Sequence, residues 1–157
     1  MRLLLIASLA AVSLLLQACP QPVPTPEDEA CEHLAEGPST PVTAVTEGDG
    51  PLIADDHRRY DVTLVPTSGG NGGRVRFAAD EAGDFIFFTS VVVPITLTDA
   101  AGNAVEVEQT LIGSEVCSEI AARIIVPLGV GTYHLELGPV DQTLLSFVVE
   151  HGGGHEE

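Results

Sequence analysis

The chain has 157 residues and a formal net charge of −17, and all six of its basic residues are arginines. This length corresponds to one domain that can bury a self-sufficient core. So acidic a surface repels nucleic acid and anionic lipid headgroups, which excludes functions that depend on a basic patch. Cations and basic partners are the ligands that this charge favours.

Residues 1–18 show the order of charged, apolar and small residues that is typical of a secretory signal peptide. The apolar run is shorter than the roughly 20 residues that a membrane-spanning helix needs. The stretch "LQAC", ending at Cys19, resembles the bacterial lipobox, although Gln17 stands where a small or aliphatic residue is more usual. The resemblance implies cleavage before Cys19 and lipidation of that cysteine. An ordinary signal peptide with a chance cysteine is the alternative.

Proline occupies every second position from Pro20 to Pro26, which predicts an extended, lipidated tether over residues 19–26. A short helix is predicted over residues 27–36. Thr25 can cap its start, acidic side chains fill its first turn, and a glycine and a proline follow it.

Cys31 and Cys117 are the cysteines that remain once Cys19 is acylated. An even pair in an exported protein predicts a disulfide, which would pin the short helix to the body of the domain. A metal site with two thiolates is the alternative, and an oxidising compartment disfavours it.

From about residue 41 the hydrophobic pattern alternates with a period of two, as in "RYDVTLVP", "RVRFAAD", "PITLTD", "AVEVEQTL" and "GTYHLELG". Such alternation predicts strands with one solvated face. The runs "GDFIFFTSVVVP" and "ARIIVPL" are apolar on both faces and predict central strands, whereas "TSGGNGG" predicts a turn. The sequence therefore predicts an all-β domain over residues 27–150. We expect an antiparallel, jelly-roll-like β-sandwich, preceded by the helix and followed by a tail over residues 151–157.

The order of strands and turns resembles the jelly-roll domains of the pre-peptidase C-terminal type, found in secreted bacterial proteases. The resemblance covers roughly residues 57–150 and rests on "VRFAADEAGDFIFFTS", "PITLTDAAGNAV", "RIIVPLGVGTYHLELG" and "LLSFVVE". It implies an accessory folding or binding module rather than a catalyst. The N-terminal helix and the lack of a protease domain depart from that family.

No pattern of catalytic residues stands out, and we expect a protein that is not an enzyme. The chain has no glycine-flanked serine of the hydrolase type, and "SGGNGG" lacks the lysine and the helix of a phosphate-binding loop. A blue-copper site needs a free cysteine and usually a methionine, but the one methionine is Met1. The acidic runs lack the spacing of a calcium-binding EF-hand.

Histidines are the candidate metal ligands. His151 stands at the end of the last predicted strand, and three glycines would let His155 turn back towards the same ion. His33 in the helix and His57 before a strand would join them if the fold brings these segments together, whereas His134 resembles an ordinary surface residue. Imidazole with carboxylate suits zinc, and imidazole alone suits copper or nickel, so zinc or copper is the expected metal. Solvated histidines and an inert tail are the alternative.

The sequence thus predicts a lipid-anchored, non-catalytic binding protein of a bacterial cell envelope, in the periplasm or on the outer surface, with the outer membrane favoured. Its predicted contacts are the membrane, through the lipid on Cys19, and a transition metal ion or an envelope protein. Nucleic acid is excluded as a partner. The alternative is a structural or protein-interaction lipoprotein with no metal site.

Overall fold

The computed structural model describes residues 23–152. The predicted signal peptide 1–18, the predicted lipidation site Cys19 and the first half of the predicted tether 19–26 lie outside the described residues. The tail beyond Gly152, with His155, lies outside them as well.

One helix and twelve strands make up this part of the chain. Helix α1 spans Pro26–Glu36. The strands are β1 Ser39–Thr43, β2 Leu52–Ala54, β3 Arg59–Thr63, β4 Val65–Thr67, β5 Gly70–Ala79, β6 Gly83–Thr89, β7 Ile95–Asp99, β8 Ala104–Val105, β9 Gln109–Ile112, β10 Ala122–Leu128, β11 Gly131–Val140 and β12 Leu144–His151. No helix among the described residues has the length and apolar character needed to cross a membrane.

Helix α1 forms where its end signals predict it. The Thr25 hydroxyl accepts a hydrogen bond from the Asp28 backbone N–H, and the Asp28 carboxylate accepts one from the Thr25 N–H in return. This reciprocal pair satisfies two amides that have no partner inside the helix. The helix ends at Gly37, whose positive φ of 82° is available to glycine at little cost.

The predicted all-β sandwich is confirmed. Sheet A has the strand order β1-β3-β12-β6-β10-β9, and sheet B has the order β2-β5-β11-β7-β8, with β4 also paired to β5. The sequence predicted wholly antiparallel sheets, and this detail is wrong. Strand β1 pairs with β3 in parallel, and β2 pairs with β5 in parallel. The chain visits the opposite sheet between each parallel pair, and such a crossover is what parallel pairing requires.

The main core lies between the sheets and contains an aromatic centre. The Phe77 ring meets Phe85 and Phe87 edge-on, with ring centroids 5.1 and 5.3 Å apart. Phe147 from β12 packs against Phe87 at 5.7 Å. All four rings are fully buried, so this cluster anchors the two sheets to each other.

A second, smaller core lies on the outer face of sheet A, where α1 covers it. Its buried members are Ala30, Leu34, Phe88, Cys117, Ile120 and Val148. The predicted disulfide between Cys31 and Cys117 is confirmed, and it joins α1 to the connection between β9 and β10. The helix is thereby fastened over β12 of sheet A.

One local expectation was wrong and another holds only in part. The alternating segment "AVEVEQTL" was expected to be one strand, but it divides into β8, which pairs in sheet B, and β9, which pairs in sheet A. The turn predicted in "TSGGNGG" is confirmed at Ser68–Gly69, between β4 and β5, but residues 70–73 extend β5. Glycine is needed at position 72 because a Cβ there would overlap the carbonyl oxygen of Leu137 on β11.

Candidate metal centre

Strand β12 places successive side chains on opposite sides of sheet A. Phe147 and Val149 point into the main core, whereas Val148 belongs to the small core beneath α1. Glu150 lies two residues after Val148, so its side chain is on the same side of sheet A, and only 1% of it is exposed. A carboxylate is therefore buried between the sheet and the helix.

His33 lies on α1, one residue before the buried Leu34, and is itself partly buried. Its Nδ1 lies 3.4 Å from the Gly37 carbonyl oxygen at the end of the helix. This contact favours the tautomer that carries its proton on Nδ1 and leaves the Nε2 lone pair for a metal. Metal-binding histidines are commonly oriented by such a carbonyl.

His57 lies in the β2–β3 connection, where the chain crosses from sheet B to sheet A. The loop is held by Asp56, whose carboxylate accepts a hydrogen bond from the Tyr60 hydroxyl at 3.0 Å and lies 2.6 Å from the Arg58 guanidinium. The His57 side chain is half exposed, so it forms the solvent-facing side of the site.

These three elements bring His33, His57 and Glu150 together, and we call this set the ligand cluster. One potential ligand atom from each residue lies within 4.8 Å of the other two. The imidazole centroids are 5.8 Å apart, and His57 Nδ1 is 3.8 Å from Glu150 Oε2. A zinc ion with bonds of about 2 Å holds tetrahedral ligands about 3.3 Å apart, so small side-chain rotations would close the cluster around an ion.

The electrostatics of the cluster favour a cation. The pKa of Glu150 is raised to about 8. Burial is the largest cause, and the nearby carboxylates of Asp55 and Glu29 add to it. Neither Glu150 oxygen accepts a hydrogen bond from any residue in the described range 23–152. A buried carboxylate usually has such partners, because its desolvation is otherwise uncompensated. A bound divalent ion would supply the missing compensation.

The backbone at His57 is unusual, because its φ of 53° lies in the left-handed region and no other described residue except glycine has a positive φ. That conformation costs a residue with a Cβ about 1–2 kcal/mol. Strain of this kind is retained where a side chain must point in one particular direction.

We therefore expect His57→Gly to be more stable than His57→Ala by about 1 kcal/mol, because only glycine relieves the strain. Both variants lose the imidazole, so their difference isolates the backbone. Urea denaturation of the two metal-free proteins would measure it. An alanine variant at least as stable as the glycine variant would show that the backbone at this position is not strained.

The structure brings together two of the four histidines predicted as metal ligands. His151 lies on the opposite face of β12 from Glu150, where its ring packs edge-on against Phe85 at 5.1 Å and its Nε2 is 3.7 Å from Glu81 Oε1. His134 belongs to β11 of sheet B, and His155 lies outside the described residues. The expected convergence of His33 and His57 with His151 is thus replaced by convergence with Glu150.

Glu150 was missed because scattered carboxylates are usually solvated. A signal was nevertheless present in "LLSFVVE", where Val148 and Val149 indicate a strand that is buried on both faces. A glutamate that continues such a strand has no solvated face to occupy.

Comparison with known proteins identifies no family for this chain. No protein-family model matches the chain, and no curated protein matches it significantly.

Proposed function

We propose that this protein is a lipid-anchored binding protein of the bacterial cell envelope, and that it captures a divalent transition metal ion through His33, His57 and Glu150. The observation that carries the proposal is the meeting of these three side chains from three separate elements, with the ligand atoms within 4.8 Å of one another. The envelope location rests on the signal-like N-terminus and on the lipobox resemblance at Cys19.

The donor set indicates the class of metal. Two imidazoles and one carboxylate are borderline ligands that suit zinc, and the same set also accepts copper. Calcium and magnesium favour sites built from oxygen alone, which this cluster is not. The net charge of −17 raises the concentration of cations near the protein and so assists capture.

Zinc titration by calorimetry of the purified full-length protein tests the proposal. We expect micromolar or tighter binding, and we expect His33→Ala, His57→Ala and Glu150→Gln each to weaken it by at least about 100-fold. Even the loss of an outer-shell partner of a metal ligand costs about 10–100-fold. His134→Ala is the matched control, because it removes an imidazole from the other sheet and should leave the affinity unchanged. Equal binding by all five proteins would contradict the proposal.

The tail predicted from the sequence needs separate variants. His151→Ala and a chain that stops after Gly152 are both expected to retain zinc binding, because the ligand cluster is complete without them. Loss of binding in the shortened chain, with His151→Ala unaffected, would instead assign a ligand to residues 153–157, which include His155, Glu156 and Glu157.

An envelope interaction protein is the second candidate. One observation favours it: β9 is an edge strand of sheet A, Ile112 at its end is 66% exposed, and so is Val116 just beyond it. Open edges and exposed apolar side chains are common features of docking surfaces. Association with an envelope protein that persists in a chelator and is lost in Ile112→Asp would support this second function.

A further inference from the structure

Helix α1 carries a disulfide cysteine and a candidate metal ligand only two positions apart, Cys31 and His33. Cys31 is bonded to Cys117 beyond the end of β9, while His33 faces Glu150 on β12 and His57 in the β2–β3 connection. The position of one short helix therefore decides whether His33 stays beside the other two members of the ligand cluster.

The helix contributes little to its own stability. It has eleven residues, and isolated helices shorter than about 12–15 residues are marginal in water. Its fully buried side chains are Ala30 and Leu34, which contact the small outer core rather than the main one. The covalent bond at Cys31 therefore carries much of the attachment between the helix and sheet A.

Two polar contacts would survive the loss of that bond. Arg59 Nη1 donates to the Leu34 carbonyl at 2.7 Å, and Arg123 Nη1 lies 2.6 Å from Glu27 Oε2. The side chains of this second pair are 23% and 22% exposed, and partly solvated pairs of this kind stabilise weakly. Loss of the disulfide is thus expected to loosen the helix without releasing it entirely.

We propose that the redox state of the Cys31–Cys117 pair regulates the metal affinity of the ligand cluster, with the disulfide form binding the metal more tightly. The inference rests on the proposed function. Reduction breaks the Sγ–Sγ bond. A dithiol of the kind used by thiol–disulfide oxidoreductases supplies two electrons and two protons, and is itself converted to a disulfide. Linkage makes this effect reciprocal. If the disulfide raises the metal-binding constant by some factor, bound metal raises the equilibrium constant for disulfide formation by the same factor.

The test compares the zinc affinities of the full-length wild type and the double variant Cys31→Ala/Cys117→Ala. Alanine is used because free thiolates would themselves bind zinc. We expect the dissociation constant to rise about tenfold in the double variant, within the usual range for coupled sites. Amide hydrogen exchange along α1 should become faster through local opening of the helix, whereas the central strands of sheet B should become faster only by the factor that the loss of global stability dictates.

Leu135→Ala is the control for general loss of stability, because Leu135 on β11 is buried in the main core and is not a member of the small core beneath α1. It should leave the zinc affinity of the folded protein unchanged. Equal zinc affinity of the wild type and the cysteine variant would overturn this inference but not the proposed function. The same would follow if Leu135→Ala lost as much zinc affinity as the cysteine variant. Failure of the wild type to bind zinc would overturn the proposed function, and this inference with it.

Discussion

Glu150→Gln is expected to remove a pH dependence of stability from the metal-free protein. The pKa of Glu150 is about 8 in the folded protein, against an ordinary value of 4.5. Folding therefore takes up a proton between these two values. The stabilisation from this group is fully present below about pH 4.5 and is lost as the pH rises through about 8. The loss is on the order of 5 kcal/mol, since each pKa unit corresponds to about 1.4 kcal/mol.

The measurement is urea denaturation of wild type and Glu150→Gln at several pH values in the presence of a chelator. Glutamine keeps the shape of the side chain but does not titrate, so other groups cancel in the difference. Asp28 and Asp99, whose pKa values are lowered by hydrogen bonds from Thr25 and Asn103, are among those groups. The free-energy difference in favour of the variant should grow from pH 5 to pH 9. Parallel pH profiles would show that Glu150 is solvated rather than buried.

The second large effect is expected from removal of the disulfide. Cys31 and Cys117 are 86 positions apart, and closing a loop of that length stabilises a protein by about 4 kcal/mol in the chain-entropy model. The double variant Cys31→Ala/Cys117→Ala should therefore lose about this much free energy of unfolding at neutral pH. Most of the effect arises in the unfolded chain, which gains freedom when the bond is absent.

Denaturation of the oxidised wild type and the double variant would measure this loss, with Cys19 left in place in both. Wild-type protein kept reduced by an excess of dithiol provides the control, because it lacks the bond without substitution or modification of either residue. A difference below about 1 kcal/mol would mean that the unfolded chain is restricted by other means.

Features encoded by neighbouring residues could be predicted from the sequence. The capping pair of Thr25 and Asp28 and the stop at Gly37 define α1 locally, and the alternation around Tyr60, Val62 and Leu64 fixes the buried face of that segment. The disulfide followed from the number of cysteines and the expected compartment.

Features that depend on distant parts of the chain could not be predicted in this way. The glycine at position 72 is explained by the approach of Leu137, which lies on another strand. The parallel pairing of β1 with β3 depends on which sheet each strand joins, and no local pattern encodes that choice. The ligand cluster is the same kind of case, because its members come from a helix, a loop and a strand separated by most of the chain.

The strand order of sheet A also constrains when the ligand cluster can be assembled. Strand β12 is the last described strand to be synthesised, yet it lies between β3 and β6 in the middle of the sheet. Until it is inserted, β1 and β3 have no bridge to β6, β10 and β9, and Glu150 cannot stand beside His33 and His57. A chain synthesised only as far as β11 would hold both imidazoles but not the buried carboxylate. The ligand cluster would therefore be assembled only when β12 is inserted, after the rest of sheet A has formed.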